Sequence, residues 1–251
     1  MMSKSIVFAV AMLASSSVFA SVTEQETFSF PLNDGGRLSV SNVNGSITIV
    51  GGSGDTVEII ATKKGDDQEY LDAIEINISS SADSIIIETE LPESGSWFSW
   101  GDKNGQVKYE ITVPAGTNLD AIETVNGGLE ISGVSGDVKA ETVNGGINAT
   151  DLEGDAEFST VNGRINGEFT RLSGQQRVKA ATVNGRVTII LSGDVDVEIS
   201  ADTLNGSINA KDFGLETDKG FVGSDLNGKI GSGSARLNID TVNGSIKIRS
   251  K

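Results

Sequence analysis

One five-residue pattern constrains this chain more than any other feature. It consists of an aliphatic residue, Asn-Gly, any residue, and a second aliphatic residue, and it occurs eight times. Val or Leu always precedes the Asn, and Ile, Leu or Val always stands two residues after the Gly. The eight copies centre on Asn44, Asn126, Asn144, Asn162, Asn184, Asn205, Asn227 and Asn243.

The spacing of the copies predicts the fold class. From Asn126 onward, successive asparagines are 18, 18, 22, 21, 22 and 16 residues apart. Repeats of this length, with strand-like segments between Gly and Asn turns, are typical of a solenoid. Equivalent strands of successive coils would pair about 4.8 Å apart. The alternative is a series of tight hairpins, because Asn-Gly between apolar residues is also a strong hairpin signal. The near-constant spacing favours the solenoid.

We therefore predict an all-β protein, a right-handed single-stranded β-helix (β-solenoid) with coils of about 16–22 residues. Right-handed coils are favoured because left-handed coils usually show a strict six-residue apolar period. No such period links Val143, Ile147, Leu152, Phe158 and Val161. The aliphatic residues of each coil, these valines included, are predicted to point into a thin core.

The Asn-Gly pairs are predicted to form the corners of the coils. Asn and Gly tolerate a positive φ better than other residues do, and sharp corners often require one. Because equal positions of successive coils stack, the eight asparagines are predicted to form a hydrogen-bonded ladder. A second ladder is predicted for the threonines two residues earlier, with Asn42 and Asp225 interrupting it: Thr124, Thr142, Thr160, Thr182, Thr203 and Thr241. Lys247 and Arg249 are predicted to protect an open sheet edge at the last strand.

The first twenty residues have the pattern of a signal peptide. Lys4 precedes an apolar run over residues 6–14, and Val18-Phe19-Ala20 gives a small-x-small cleavage site before Ser21. An uncleaved anchor is the alternative, but crossing a bilayer takes about 20 apolar residues. We expect an exported protein, periplasmic or extracellular at the cell surface, with no transmembrane segment after cleavage.

The remainder, residues 21–251, is predicted to form a single β-solenoid domain. Residues 21–115 would hold irregular strands and the first motif copy, and residues 116–251 the tandem coils. Alternating apolar residues predict strands around residues 28–32, 74–78, 85–87 and 107–113, and a helical turn over residues 69–73.

Composition narrows the function classes. The chain has no His and no Cys, so it lacks the commonest general base, the commonest metal ligand and any thiol chemistry. Its formal net charge of −16 repels nucleic acid. This charge favours solubility outside the cytoplasm, and it is also compatible with cations or basic partners.

Several motifs together resemble a known family. These are the Gly-Gly-x-Leu-x-Val segment at residues 35–40, Val43-Asn44-Gly45-Ser46-Ile47, Val113-Pro114-Ala115 and the repeated Thr-Val-Asn-Gly-x-Ile units. Over about residues 30–251 the chain resembles the bacterial "putative adhesin" domain family of unknown function. The resemblance implies an exported right-handed β-helix, and it assigns no functional residues.

Two features are candidates for binding. Gly-Asp recurs at Asp137, Asp155 and Asp194, which would either line up as oxygen ligands for Ca²⁺ or simply form turns; we favour turns. Trp97, Phe98 and Trp100 would either contact a partner or cap the core. We predict no catalytic, cofactor-binding or metal-binding residues, and no cofactor.

The sequence thus predicts an exported structural or adhesion-type module that presents a rigid surface to a protein or glycan at the cell envelope. The alternative is a polysaccharide-active enzyme, a lyase or hydrolase, on the same scaffold, which would require a carboxylate pair in a groove. A role as a regulatory partner in the periplasm is a third reading.

Overall fold

The computed structural model describes residues 21–92, 105–220 and 223–251, and these residues form an all-β protein. Within them, the α-helical segment is α1 (Gln68–Asp72), and no helix is long and apolar enough to cross a bilayer. The strands are β1 (Val22–Pro31), β2 (Arg37–Asn44), β3 (Ile47–Gly52), β4 (Thr56–Gly65), β5 (Glu75–Ser80), β6 (Ser84–Glu90), β7 (Gly105–Pro114), β8 (Asn118–Asn126), β9 (Leu129–Ser132), β10 (Val138–Asn144), β11 (Ile147–Leu152), β12 (Ala156–Asn162), β13 (Ile165–Phe169), β14 (Leu172–Ser173), β15 (Arg177–Asn184), β16 (Val187–Leu191), β17 (Val195–Asn205), β18 (Ile208–Asn209), β19 (Asp218–Lys219), β20 (Ser224–Ile230), β21 (Ala235–Asn243) and β22 (Ile246–Ser250).

The strands form two long sheets, and the chain passes from the second to the first at seven of the eight Asn-Gly motifs, all except Asn227-Gly228, which lies within β20. The first sheet has the order β1-β4-β7-β3-β9-β11-β13-β16-β22-β18. The second has the order β19-β20-β17-β21-β15-β12-β10-β8-β2-β6-β5, and β14 pairs with β17 outside this path. The central strands of both sheets are parallel, as expected for a stack of coils. The all-β, solenoid-like architecture is therefore confirmed.

The core lies between the two sheets and consists mainly of small aliphatic layers. In the coil of β10 and β11, Val138 and Ala140 are buried on one side, and Ile147, Ala149 and Leu152 on the other. Alternate residues of each strand face inward because successive side chains of a strand point to opposite faces of the sheet. Since each layer repeats the one below, few aromatic side chains are needed to fill the interior.

The middle coils stack in chain order and in register. Asn126 pairs with Asn144, Asn144 with Asn162, and Asn162 with Asn184. The first motif copy joins the same stack although many residues intervene, because Asn44 pairs with Asn126. Long excursions of the chain are thus accommodated outside the stack without disturbing its register.

The last two parallel coils do not stack in chain order, and here the predicted succession is wrong. Strand β21 inserts between β15 and β17, so that Asn184 pairs with Asn243 and Asn243 with Asn205. The other edge of β17 is occupied by β20, which runs antiparallel to it. Lys247 and Arg249 lie on β22, which pairs with β16 along its whole length and with β18 at Ile246 and Lys247, so that β18 and not β22 is the terminal strand of the sheet.

Asp196 fastens the turn that leads into the inserted coil. Its carboxylate accepts hydrogen bonds from the Ser232 hydroxyl, from the backbone N–H of Gly233, and from both the hydroxyl and the N–H of Ser234. These bonds, the Ser232 bond foremost, lower the pKa of Asp196 to about 2. The turn is therefore anchored by an ionised carboxylate at neutral pH.

The N-terminal strands extend the two sheets at one end, and the strands and helical turn predicted there are present. Strand β4 runs antiparallel to both β1 and β7, and the other edge of β7 pairs in parallel with β3. The buried Tyr109 hydroxyl lies 2.6 Å from the Thr89 hydroxyl. Burial raises the pKa of Tyr109 to about 12, so this phenol remains neutral.

The glycines of the corners are required for a reason different from the predicted one. Of the seven corner glycines in the parallel stack, only Gly45 has a positive φ. The constraint is instead the close approach of successive corners. A Cβ on Gly145 would lie 1.8 Å from the carbonyl oxygen of Gly127, and one on Gly163 would lie 1.7 Å from that of Gly145. A side chain of any kind would separate the coils.

We expect Gly145→Ala to destabilise the protein by about 1–3 kcal/mol or more, because the added methyl group overpacks a backbone contact. Urea unfolding followed by circular dichroism measures this change. Gly128→Ala is the matched control, since the nearest atom to its added Cβ is 3.6 Å away. Equal stability of the two variants would show that the close approach of successive corners does not require glycine at position 145.

Candidate functional site

The corner asparagines form one continuous row along the stack. The row begins where Asn44 Nδ2 donates to the carbonyl oxygen of Gly105, at 3.2 Å. Each following Nδ2 donates to the Oδ1 of its neighbour at 2.8–3.0 Å, in the order Asn44, Asn126, Asn144, Asn162, Asn184, Asn243, Asn205. Every bond points the same way, so each amide before the last one, Asn205, serves as both donor and acceptor.

Asn227 does not belong to this row. It lies on β20, which is antiparallel to β17, and there its Oδ1 accepts a hydrogen bond from the Ser200 hydroxyl at 3.0 Å. An antiparallel strand does not place its Asn-Gly above the corners of the parallel coils. The sequence pattern marks eight copies, and the structure brings seven of them together.

The threonines two residues before the asparagines bond to the backbone and not to one another. Each buried hydroxyl donates to a corner glycine carbonyl of the adjacent coil at 3.0–3.5 Å. Asn42 takes the same position in the first copy, and its Nδ2 donates to the Val107 carbonyl at 2.8 Å. The predicted threonine ladder is therefore a set of bonds that seals each corner to its neighbour.

The residue between each threonine and asparagine points into solvent, contrary to the prediction that the aliphatic residues of the coil all face the core. Seven such side chains are 37–51% exposed, and we term them the aliphatic stripe: Val43, Val125, Val143, Val161, Val183, Val242 and Leu204. With neighbouring strands about 4.8 Å apart, the stripe is about 29 Å long. The strict alternation that buries Ala140 and Thr142 already places Val143 outside, and this signal was available in the sequence.

A groove of about 610 Å³ lies beside one half of the stripe. Its floor includes the small residues Ser159 and Ala181, which are paired neighbours on β12 and β15. Val161, Val183 and Leu204 line it from the stripe. This part of the groove is therefore lined by small and aliphatic side chains.

Three carboxylates occupy one end of this groove. Ala181 pairs with Asp240, Asp240 with Asp202, and Asp202 with Asp225, so the three aspartates lie on adjacent strands. Burial raises the pKa of Asp202 above its ordinary value of 3.8, and the negative charges of Asp240 and Asp225 raise it further. The carboxylates thus repel one another, and among the side chains that the structure describes, no lysine or arginine lines the groove.

The remaining sequence candidates lie elsewhere. Trp97, Phe98 and Trp100 fall outside the described residues. Asp137 Oδ1 accepts the backbone N–H of Asp155, and Asp155 Oδ1 that of Arg177, so both side chains bond the turn of the next coil. In the described part of the chain, no group of three or more acidic, His or Cys side chains has the geometry to hold a metal ion.

Comparisons with known proteins place the chain among solenoid-like structures. A family model described as Toastrack DUF4097 matches residues 15–249. A "putative cell adhesion protein" from Clostridium sporogenes shares the fold, with 16% identity and a TM-score of 0.53 over 90% of this chain and 100% of its own. A "putative adhesin" from Bacteroides fragilis has 8% identity and a TM-score of 0.38, over 89% of this chain and 96% of its own. No curated protein matches the chain.

We expect Asn162→Ala to destabilise the protein by about 1–2 kcal/mol, because it removes the donor to Asn144 and the acceptor of Asn184. Thermal and urea unfolding measure the change. The control is Asn148→Ala, an exposed asparagine outside the row. If both variants lose the same stability, the row is not a stabilising element.

We expect Asp202→Asn to stabilise the protein at neutral pH. Because the folded pKa lies above the unfolded one, the folded protein binds this proton more tightly, and stability falls as pH rises through that interval. The gain of the variant over the wild type should therefore be present at about pH 7 and disappear at about pH 3. Urea unfolding at both pH values tests this. The control is Glu153→Gln, which changes an exposed carboxylate outside the groove. A gain that is the same at both pH values would contradict the repulsion.

Proposed function

This chain belongs to the Toastrack DUF4097 family, and we propose that it acts as an exported, non-catalytic interaction module of the adhesion type. Its role would be to present a rigid and regular surface to a protein or glycan at the cell envelope. The observation that carries the proposal is the aliphatic stripe. Soluble monomers rarely expose contiguous apolar patches larger than a few hundred Å², and the largest patch on a monomer is often a functional site.

The corner chemistry supports this role because it fixes the stripe in place. The asparagine row lies directly beside the stripe, and the threonine hydroxyls hold the corners on the other side. Each exposed valine thus lies between two side chains that are bonded to the adjacent coil. A surface held in this way loses little conformational entropy when a partner binds.

The finer features of the architecture form part of the proposal. We infer right-handed coils of about 16–22 residues, in line with the strong right-handed preference of parallel strand connections. Residues 21–251 would form a single domain after removal of a signal peptide at residues 1–20, with Ser21 as the mature N-terminus. Trp97, Phe98 and Trp100 would add an aromatic contact for the partner.

A binding and turnover screen tests the function. The protein is expressed with its own first twenty residues and recovered from the periplasm or the cell surface, and mass spectrometry of its N-terminus is expected to give Ser21. It is then screened against immobilised glycans, envelope polysaccharides and envelope proteins. We expect saturable binding and no release of reducing ends or unsaturated products.

Two variants serve as controls in this screen. Val143→Ser alters the stripe and should weaken binding, while Val50→Ser alters an exposed valine outside the stripe and should not. Cleavage of any polymer by the wild-type protein would overturn the non-catalytic role. Retention of the full-length N-terminus in the cytoplasm would overturn the proposed export.

A further inference from the structure

The distribution of exposed apolar side chains singles out one surface. Among the described residues, nine large aliphatic side chains are exposed, and seven of them form the aliphatic stripe. The other two, Val50 and Ile86, lie outside it. Burying such a stripe against a partner would release its ordered water, at roughly 25 cal/mol per Å² of apolar area.

Charge determines what kind of partner suits the groove. Asp202, Asp225 and Asp240 line one end of the groove, and Lys179, on the groove strand β15, is paired with Glu157. None of the ion pairs within the described ranges involves the three groove aspartates. Three like charges on adjacent strands destabilise one another, and a cationic side chain placed between them would remove that cost.

A second copy of this chain does not meet the charge requirement. The outward column beside the stripe carries Glu123 and Glu141 toward one end and Asp240 and Asp202 toward the other. Antiparallel pairing of two stripes would therefore bring carboxylates against carboxylates, and parallel pairing would set each acidic column against an uncharged asparagine row. The groove favours a partner that is basic as well as apolar.

The backbone under the groove also limits how a partner can bind. Strands β12, β15, β21 and β17 are each paired on both sides, so a partner cannot add a strand to the sheet. Contact must be made through side chains that repeat along the stack. The turns of an α-helix repeat every 5.4 Å, close to the strand spacing of about 4.8 Å.

From these observations we propose that the groove binds a basic amphipathic helix of a partner protein. The helix would lie across the strands, with its apolar face on Val161, Val183 and Leu204 and its lysine or arginine side chains on the three aspartates. The groove crosses five strands, about 19 Å, which corresponds to roughly 13 helical residues. The inference rests on the proposed interaction role and names the class of partner.

Peptide titration tests the inference directly. A fluorescein-labelled helical peptide of about 14 residues, with a leucine face and a lysine flank, is titrated with the full protein and followed by fluorescence anisotropy. We expect saturable binding with a Kd on the order of 10 μM at low salt, weakening as salt is added. A peptide with the same leucine face and glutamates in place of the lysines should bind at least about tenfold more weakly.

Matched variants locate the binding surface. Val183→Arg places a cation in the groove and should weaken binding of the lysine peptide by at least about tenfold, whereas Val50→Arg, on the other sheet, should leave it unchanged. The double variant Asp202→Asn, Asp225→Asn should weaken binding by about three- to tenfold without loss of fold. Circular dichroism and urea unfolding establish that each variant is folded.

Three outcomes would overturn the inference: equal binding of the lysine and glutamate peptides, equal loss in Val183→Arg and Val50→Arg, or no saturable binding. Dimerisation that Val183→Arg abolishes, seen by analytical ultracentrifugation without peptide binding, would assign the groove to a second copy instead. The proposed interaction role is separable. If Val183→Arg keeps all binding in the envelope screen, the groove inference fails and the proposed interaction role stands. If the wild type binds the peptide but nothing in the envelope screen, the groove inference stands and the proposed interaction role fails.

Discussion

The close contact between successive corners is the constraint on which the rest of the structure depends. The carbonyl oxygen of one corner glycine lies where the next glycine would carry a Cβ, as at Gly145 and Gly163. This contact brings the threonine hydroxyls within bonding distance of the glycine carbonyls and the asparagine amides within bonding distance of each other. Strand register, core layers and the outward position of the aliphatic stripe all follow, because a shift of one residue would exchange the two faces of a strand.

Much of this architecture could be predicted from the sequence, since the Asn-Gly spacing indicates stacked coils. The resemblance carried by the Thr-Val-Asn-Gly-x-Ile units was confirmed. The predicted reason for the glycines was wrong, because a local propensity for positive φ was considered and a contact between coils was not. Asn227 could not be told from the other copies, since its antiparallel pairing depends on strands distant in sequence.

The candidate site was harder to predict than the fold. Valine beside a buried threonine was interpreted as core from its hydrophobicity, although strand alternation places it outside. The groove could not be foreseen at all: Ala181, Asp240 and Asp202 become neighbours only because the last coil inserts before the preceding one. In the described part of this acidic protein, most of the exposed large aliphatic side chains lie in one row, and three carboxylates lie at the end of the groove beside it.

The inserted coil also bears on how the protein is made. Residues 177–191 and 195–205 are close in sequence, yet the slot between their second-sheet strands is filled by residues near the C-terminus. Synthesis proceeds from the N-terminus, so the edges of β15 and β17 that face this slot remain unpaired until β21 has been made. Insertion of β21 is therefore a late step of folding. A chain that lacks β21 would expose the edges of β15 and β17, to which strands of other chains could add.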